Sequence, residues 1–291
     1  MSEIVKSAER LAILDKIKQY EIEGRFDEDV EDDPPTRQLE PGEVDYTQKK
    51  LSTRLASKFA FKQAEKFLNN IIKNKQFILK EVIGAENIKN LDSGAIITCN
   101  HFNALDSFAV EYIYRSLDKK TRKKRKFFRV IREGNYTNFP GFFGMLMRKC
   151  NTLPLSSNPK VMTEFLRAVD QLLKDGHFVL VYPEQSMWWN YRKPKPLKKG
   201  AFQFAVRANV PVLPCFITMN DSDIIGSDGF PVQEYTIHMC KPIYPDKDKS
   251  SSQNIKLLME ENYQIWKDIY ENTYGIPLTY LTEDNNKKTS E

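Results

Sequence analysis

The chain has 291 residues, 41% of them hydrophobic and 29% charged, so it can bury a substantial core and is not disordered by composition. Its formal charge of +5 is unevenly spread, because residues 21–45 contain eleven acidic residues and only two arginines. The strongly basic remainder favours anionic partners. The longest apolar runs, such as 142–147, are too short to span a membrane, so membrane association is expected to be peripheral.

The first part of the chain predicts a helical extension. Apolar residues at near-helical spacing indicate a helix within residues 3–23, and the acidic region around Pro34 and Pro35 is interpreted as a linker or a loosely attached arm. We therefore expect an N-terminal helix and acidic arm over residues 1–50, a main domain over 51–282 and a disordered polar tail over 283–291. A separate hypothesis places the acidic arm over a basic site, where it would weaken membrane binding.

Residues 51–80 are predicted to form one long amphipathic helix with an apolar face and many lysines. Two interpretations remain open for it. The helix could pack on the domain core, or it could lie on an anionic bilayer, and one helix could do both in part.

Beyond Gly84 the pattern alternates between short apolar strands and amphipathic helices. This alternation predicts an α/β fold, with a layered, mostly parallel sheet flanked by helices. The predicted strands are 95–99, 126–131, 178–182, 212–218 and 235–240, and the predicted helices are 107–117, 161–174, 200–208 and 255–270.

A histidine and an aspartate five residues apart follow the first of these strands. If a helix begins there, Asp106 returns to the face that His101 occupies and can accept one imidazole N–H, which leaves the other nitrogen as a proton acceptor. We therefore predict His101 and Asp106 as catalytic residues. The other two histidines, His177 and His238, lack a carboxylate at useful spacing and are interpreted as structural.

A second motif, Pro183-Glu184-Gln185-Ser186, follows the strand at 178–182. Alone it is weak, since a Pro-Glu turn after a strand is usually structural. Parallel strands place their exit loops in one crevice, however, so the two motifs are expected to meet.

Four blocks in this order resemble the glycerolipid acyltransferases of the lysophosphatidic acid acyltransferase family. The family's N-H-x-x-x-x-D block is matched in full by Asn100, His101 and Asp106, and its P-E-G-T-R-S block in part by Pro183–Trp188. The remaining matches are Arg132-Glu133, Pro140–Gly144 and Leu153–Leu155 for the second block, and Lys199-Gly200 with Val210–Pro214 for the fourth.

The resemblance implies a glycerolipid-acyltransferase-like fold and a role in phospholipid biosynthesis. It implies acyl transfer from acyl-CoA or acyl-carrier protein to the hydroxyl of a lysophospholipid-type acceptor, without a cofactor or metal. His101 would act as the general base, and direct attack is preferred because no G-x-S-x-G nucleophile motif exists. Backbone N–H groups of the 183–186 turn, or of the helix start after Asn103, could stabilise the oxyanion. The predicted substrate-binding residues are Asn100, Arg132, Glu184, Gln185, Ser186, Arg192, Lys198 and Lys199.

The chain departs from the family where the family places phosphate-binding arginines. Ser156-Ser157 and Met187 stand at those positions. The acceptor could therefore have a different, non-phosphate head group, or Arg132 and the basic residues after Trp188 could hold a phosphate differently. The aromatic stretch from Trp188 to Tyr191 could pack in the core or line an entrance for substrate.

Nine of the fourteen residues in 119–132 are basic, a pattern compatible with a solvated loop, an anionic membrane or the phosphates of coenzyme A. A nucleic-acid-binding protein and a non-catalytic lipid-binding relative are the rival interpretations, although no nucleic-acid recognition motif accompanies the basic run. Four widely spaced cysteines and the absence of a signal peptide favour reduced thiols and a cytoplasmic location, peripheral to the inner face of the membrane.

Overall fold

The computed structural model describes residues 5–32 and 36–282. Over these residues, seven strands form one sheet: β1 (Ile78–Ile83), β2 (Ala95–Thr98), β3 (Phe127–Ile131), β4 (Thr152–Pro154), β5 (Phe178–Val181), β6 (Val212–Ile225) and β7 (Pro231–Met239). Their order across the sheet is β1-β7-β6-β2-β5-β3-β4. Every neighbouring pair is parallel except β6 and β7. The prediction of a layered, mostly parallel sheet is confirmed.

The same described ranges contain ten helices: α1 (Ala8–Glu23), α2 (Leu51–Lys73), α3 (Glu86–Lys89), α4 (Asp106–Arg115), α5 (Lys119–Lys124), α6 (Glu133–Thr137), α7 (Gly141–Lys149), α8 (Pro159–Lys174), α9 (Gly200–Ala208) and α10 (Ser251–Tyr274). Alternate residues of the central strands point to opposite faces. Ile97 and Leu180 pack with α2 and α4 on one face, whereas Ile96 and Val179 pack with α8 and α9 on the other. The core is therefore two layers, one on each side of the sheet.

The long helix predicted over 51–80 is too long, because it ends at Lys73. The chain then turns through Lys75, which has a φ of 54°, and Ile78 begins β1. β1 pairs in parallel with β7, more than 150 residues further along the chain. Helical periodicity in the sequence carries no signal of such a distant partner.

The N-terminal extension is packed against the main domain. Ile13 and Ile17 of α1, together with Val30, form a buried cluster with Trp188 and Trp189. The Tyr46 hydroxyl donates a hydrogen bond to the Pro154 carbonyl oxygen. The prediction of a loosely attached arm is therefore wrong for the residues on both sides of 33–35, while 33–35 themselves and the predicted tail at 283–291 lie outside the described residues.

The basic run at 119–126 contains the short exposed helix α5 rather than a loop. Asp118 caps this helix by accepting hydrogen bonds from the backbone N–H groups of Lys120 and Thr121. Within the part of the chain that the structure describes, no helix is both long and apolar enough to cross a membrane.

Candidate active site

The site forms where β2 and β5 end side by side. Thr98 and Val181, the last residues of these parallel strands, are paired in register. The loops after them therefore leave from the same edge of the sheet. This topology brings His101 and Glu184 together, as the two motifs predicted.

His101 and Asp106 are in direct contact. Nδ1 of the imidazole lies 2.7 Å from Oδ2 of Asp106. An ionised carboxylate only accepts hydrogen bonds, so in a neutral imidazole the Nδ1–H group donates to it and Nε2 keeps its lone pair. The His101 side chain is 23% exposed, and no hydrogen bond to Nε2 occurs from the described residues. The expected geometry of a general base is therefore present.

The Asp106 carboxylate is held in place by the start of α4, where it is the first residue. Its Oδ2 atom also accepts backbone N–H groups of Phe102 and Asn103, at 3.2 and 3.4 Å. A carboxylate at a helix N-terminus is further stabilised by the helix dipole. These contacts hold the Asp106 carboxylate in one orientation beside the imidazole.

Tyr182 is a member of the site that the sequence reasoning missed. Its hydroxyl donates to Oδ1 of Asp106 at 2.6 Å, and its ring stacks on the His101 imidazole with centroids 4.0 Å apart. Burial, and then the Asp106 carboxylate, raises the pKa of Tyr182 well above its usual value, so the hydroxyl stays protonated. Its position was an available signal: Tyr182 directly follows Val181, which is paired with Thr98 at the end of β2.

The Glu184 carboxylate links the loop after β2 to the loop after β5. Its carboxylate is buried and accepts the backbone N–H of His101 at 2.9 Å and that of Lys195 at 2.8 Å. Burial raises the pKa of Glu184, against the opposing effect of the Lys195 ammonium. Because both carboxylate oxygens are occupied by backbone groups, the observed contacts of Glu184 position His101 rather than a substrate.

Lys195 is a second residue whose contacts the sequence did not reveal. It is 1% exposed, and its ammonium donates to the carbonyl oxygen and to the hydroxyl of Ser186, at 2.7 and 2.8 Å. Burial lowers the pKa of Lys195 to about 8, opposed by the Glu184 carboxylate. Ser186, predicted to bind substrate, is itself buried and donates to the carbonyl oxygen of Phe26 at 2.9 Å.

Two of the predicted cations are paired with the N-terminal extension. Arg132 donates to Asp29 at 2.6 Å, and the Lys198 ammonium lies 2.7 Å from a carboxylate oxygen of Asp27. Both pairs are on the surface, and each of the four side chains is about 40% exposed.

The other predicted substrate-binding residues are less close to this arrangement. Asn100 is buried and exchanges two hydrogen bonds with the backbone of Ile217, so its amide holds the sheet edge. Arg192 pairs with Asp221 on β6 at 2.8 Å. Gln185 is exposed with a φ of 68°, and Lys199 stands at the N-cap position of α9 without a side-chain hydrogen bond to the helix.

The two places where the family arginines are missing are filled differently. The Ser157 backbone N–H and hydroxyl both donate to Glu133, and Ser156 donates to the same carboxylate.

The turn at 183–186 is internally hydrogen-bonded, since the N–H of Gln185 donates to the carbonyl oxygen of Tyr182 and that of Ser186 to the carbonyl oxygen of Glu184. These two N–H groups are therefore occupied, and a role of this turn, or of the helix start after Asn103, in stabilising an oxyanion stays a prediction.

The aromatic stretch after the second motif packs in the core. The rings of Trp188 and Tyr191 contact each other, and the Trp188 indole N–H donates to the Glu28 carbonyl oxygen at 2.9 Å. Across residues 5–32 and 36–282, no three His, Cys, Asp or Glu side chains are grouped so that they could hold a metal ion.

His101 and Asp106 are paired where β2 and β5 end, and comparison with known proteins shows what the chain is similar to. Residues 80–218 match the family model described as Acyltransferase. This match agrees with the resemblance found in the four motif blocks.

Two relatives are named more specifically. The chain is 26% identical over 175 residues to the chloroplastic 1-acyl-sn-glycerol-3-phosphate acyltransferase BAT2 of Brassica napus, covering 59% of this chain and 47% of that protein. The chain thus matches about half the length of this curated relative. The crystal structure of the 1-acyl-sn-glycerophosphate acyltransferase PlsC from Thermotoga maritima aligns with a TM-score of 0.52 and 20% identity, over 90% of this chain and 94% of that one. This second likeness concerns the fold.

Proposed function

We propose that this protein transfers a fatty acyl group from acyl-CoA or acyl-carrier protein to the hydroxyl of a lysophospholipid-type acceptor. The observation that carries the proposal is the 2.7 Å contact between His101 and Asp106 at the strand edge of a domain that matches the Acyltransferase family model. The names of the two relatives support the acceptor class.

In the proposed reaction, Nε2 of His101 removes the proton from the acceptor hydroxyl as its oxygen attacks the thioester carbonyl carbon. The resulting tetrahedral intermediate collapses, the carbon–sulfur bond breaks, and the imidazolium returns the proton to the departing thiolate. Asp106 keeps the imidazole oriented and stabilises its positive charge, and the Tyr182 ring faces the same imidazole. The thioester is already activated, so this chemistry requires no further cofactor.

The acceptor and the acyl chain are proposed to reach the site from an anionic membrane surface. Leu51, Leu55 and Phe59 form an exposed row on α2, four residues apart, and Phe142 and Phe143 of α7 are also exposed. We call these five residues the apolar patch. Phe67 of α2 contacts Phe142, Phe143 and Phe108, and Phe108 is only two residues beyond Asp106. Phe142 and Phe143 are thus linked through Phe67 to the helix that carries Asp106, whereas Leu51, Leu55 and Phe59 lie toward the other end of α2.

Basic side chains flank the α2 part of the apolar patch. Arg54, Lys58, Lys62 and Lys66 are exposed on α2, and Lys126 at the end of the basic run is close enough to Arg54 that this arginine, after burial, lowers the pKa of Lys126. Apolar and basic groups on one face are the combination that binds an anionic leaflet. In this proposal the inner, anionic leaflet is the membrane surface on which the protein works.

The proposal is tested by mixing the purified full-length chain with acyl-CoA or acyl-carrier protein donors and a panel of lysophospholipids and other lipid alcohols. We expect transfer to at least one acceptor, and a loss of about 10²–10⁴-fold in kcat for His101→Gln. His177→Gln, which changes a histidine on the opposite edge of the sheet, is the matched control and should keep activity.

Two results would count against the enzyme. A His101→Gln variant with near-normal turnover would contradict His101 as the base. Lipid binding without turnover of any donor would indicate a non-catalytic lipid-binding relative, and salt-sensitive binding of oligonucleotides but not of vesicles would indicate a nucleic-acid-binding protein.

A further inference from the structure

The residues Phe26–Val30, here called the acidic segment, lie directly on the motif that follows β5. The Ser186 hydroxyl and the Trp188 indole N–H donate to carbonyl oxygens of Phe26 and Glu28, and the Phe26 ring stacks on Trp188. These contacts use the backbone and one aromatic ring of the segment. They fix its position without using its carboxylates.

The carboxylates of Asp27 and Asp29 instead reach two cations from different parts of the fold. Asp29 pairs with Arg132, which immediately precedes α6, and Asp27 pairs with Lys198, which precedes α9. The buried Lys195 ammonium lies close enough to interact electrostatically with Asp27, Asp29 and Arg132. Three basic groups therefore converge beside the Glu184 loop, and two acidic side chains neutralise them in part.

The pairing of Arg132 with Asp29 uses both terminal nitrogens of the guanidinium and both carboxylate oxygens. Arginine binds a phosphate with the same two-pronged geometry. Hydrogen bonding to Lys198 also lowers the pKa of Asp27, so this acid is charged at neutral pH. The two aspartates thus bind Arg132 and Lys198 through the same kind of ion pair that an anionic head group would form with them.

We propose that Asp27 and Asp29 are specificity-determining residues, which compete with the anionic head group of the acceptor for Arg132 and Lys198. The inference rests on the proposed function for the identity of the acceptor. Both ion pairs are solvent-exposed and therefore weak, so a phosphate can displace the aspartates. An acceptor with a phosphate monoester must break these pairs to bind, whereas an acceptor without a phosphate leaves them intact.

The test uses the full-length Asp27→Asn/Asp29→Asn variant, which keeps the size of both side chains and every backbone contact of the acidic segment. We expect KM for lysophosphatidic acid to fall about threefold to tenfold, with kcat and the KM for monoacylglycerol unchanged. Calorimetry with glycerol 3-phosphate as a probe should show tighter binding by a similar factor.

The matched control is Glu31→Gln/Asp32→Asn, which removes two charges from the adjoining residues. Glu31 and Asp32 pair with Arg10 and Lys16 of α1, away from Arg132 and Lys198. Equal effects of the two double variants would show a general charge effect and overturn the inference, as would unchanged KM and unchanged probe binding in an active enzyme. Tighter probe binding in a protein that transfers no acyl group would support the competition and contradict the proposed function instead.

Discussion

Asp106 is the residue at which the elements of the site meet. It receives hydrogen bonds from His101, from Tyr182 and from two backbone N–H groups of its own loop. Each oxygen of the carboxylate is therefore occupied, which fixes its rotation. The tyrosine hydroxyl supplies the donor to Oδ1, and its ring limits the movement of the imidazole.

Tyr182→Phe removes this hydroxyl and keeps the stacked ring. Because Oδ1 of Asp106 then loses a charge-assisted hydrogen bond, the carboxylate can rotate and the imidazole is held less well. We expect kcat to fall about tenfold with little change in KM, the pattern of a positioning residue. Steady-state kinetics on Tyr182→Phe and the wild type provide the measurement.

Tyr46→Phe is the control for this substitution. Its hydroxyl is also buried and hydrogen-bonded, at 2.9 Å from the Pro154 carbonyl oxygen, but it lies in the core on the α8 face of the sheet. Turnover should survive in Tyr46→Phe even if its thermal stability decreases. A kcat for Tyr182→Phe equal to that of the wild type would contradict the positioning role.

At the scale of elements, local patterns in the sequence predicted β2, β5 and the helix that begins at Asp106. The contact of His101 with Asp106 was also predictable, because it depends on a spacing of five residues across one strand exit. β1 was missed since its partner is distant, and the contacts of the acidic segment were missed for the same reason. The bond from Ser186 to Phe26, for example, joins residues 160 positions apart.

The two histidines outside the site are expected to make the stability of the folded protein depend on pH. His177 precedes β5 and His238 lies in β7, and burial is the main cause that lowers the pKa of each. Below pH about 6.5 the unfolded chain therefore binds protons that the native state does not, so the free energy of unfolding should decrease as the solution becomes more acidic. This contribution is present at neutral pH and is lost as the pH falls toward the lowered values.

Urea unfolding at pH 7 and pH 5 measures this contribution. We expect the His177→Gln/His238→Gln variant to lose less stability between the two pH values than the wild type. Glutamine retains a hydrogen-bonding side chain, which suits the contact between His238 and the Thr218 hydroxyl. Equal losses in the two proteins would show that these histidines do not set the acid sensitivity.

At the scale of the whole molecule, the apolar patch and the exposed basic residues of α2 lie on the same side of the sheet. The apolar patch and the lysines of α2 cover one face of the sheet, whereas the extension formed by α1 and the acidic segment packs around Trp188 and Trp189. The amphipathic helix predicted from the sequence packs on the domain core, and its other interpretation, contact with an anionic bilayer, stays a prediction. Ala60, Ala64 and Leu68 are buried, while Leu55 and Phe59 remain exposed.

This division predicts which residues bind the membrane. Leu55 and Phe59 are 56% and 58% exposed, so Leu55→Ser/Phe59→Ser should leave the core intact. Insertion of these side chains into a bilayer is worth about 1–2 kcal/mol each, and losing both should weaken vesicle binding by about tenfold or more. Sedimentation with anionic vesicles, at low and high salt, separates this apolar contribution from that of the lysines.

The control variant is Tyr244→Ser/Ile276→Ser. It also removes two exposed apolar side chains, but outside the apolar patch, and should bind vesicles as the wild type does. If both double variants lose the same affinity, the binding is not specific to the α2 face and the proposed membrane orientation is wrong.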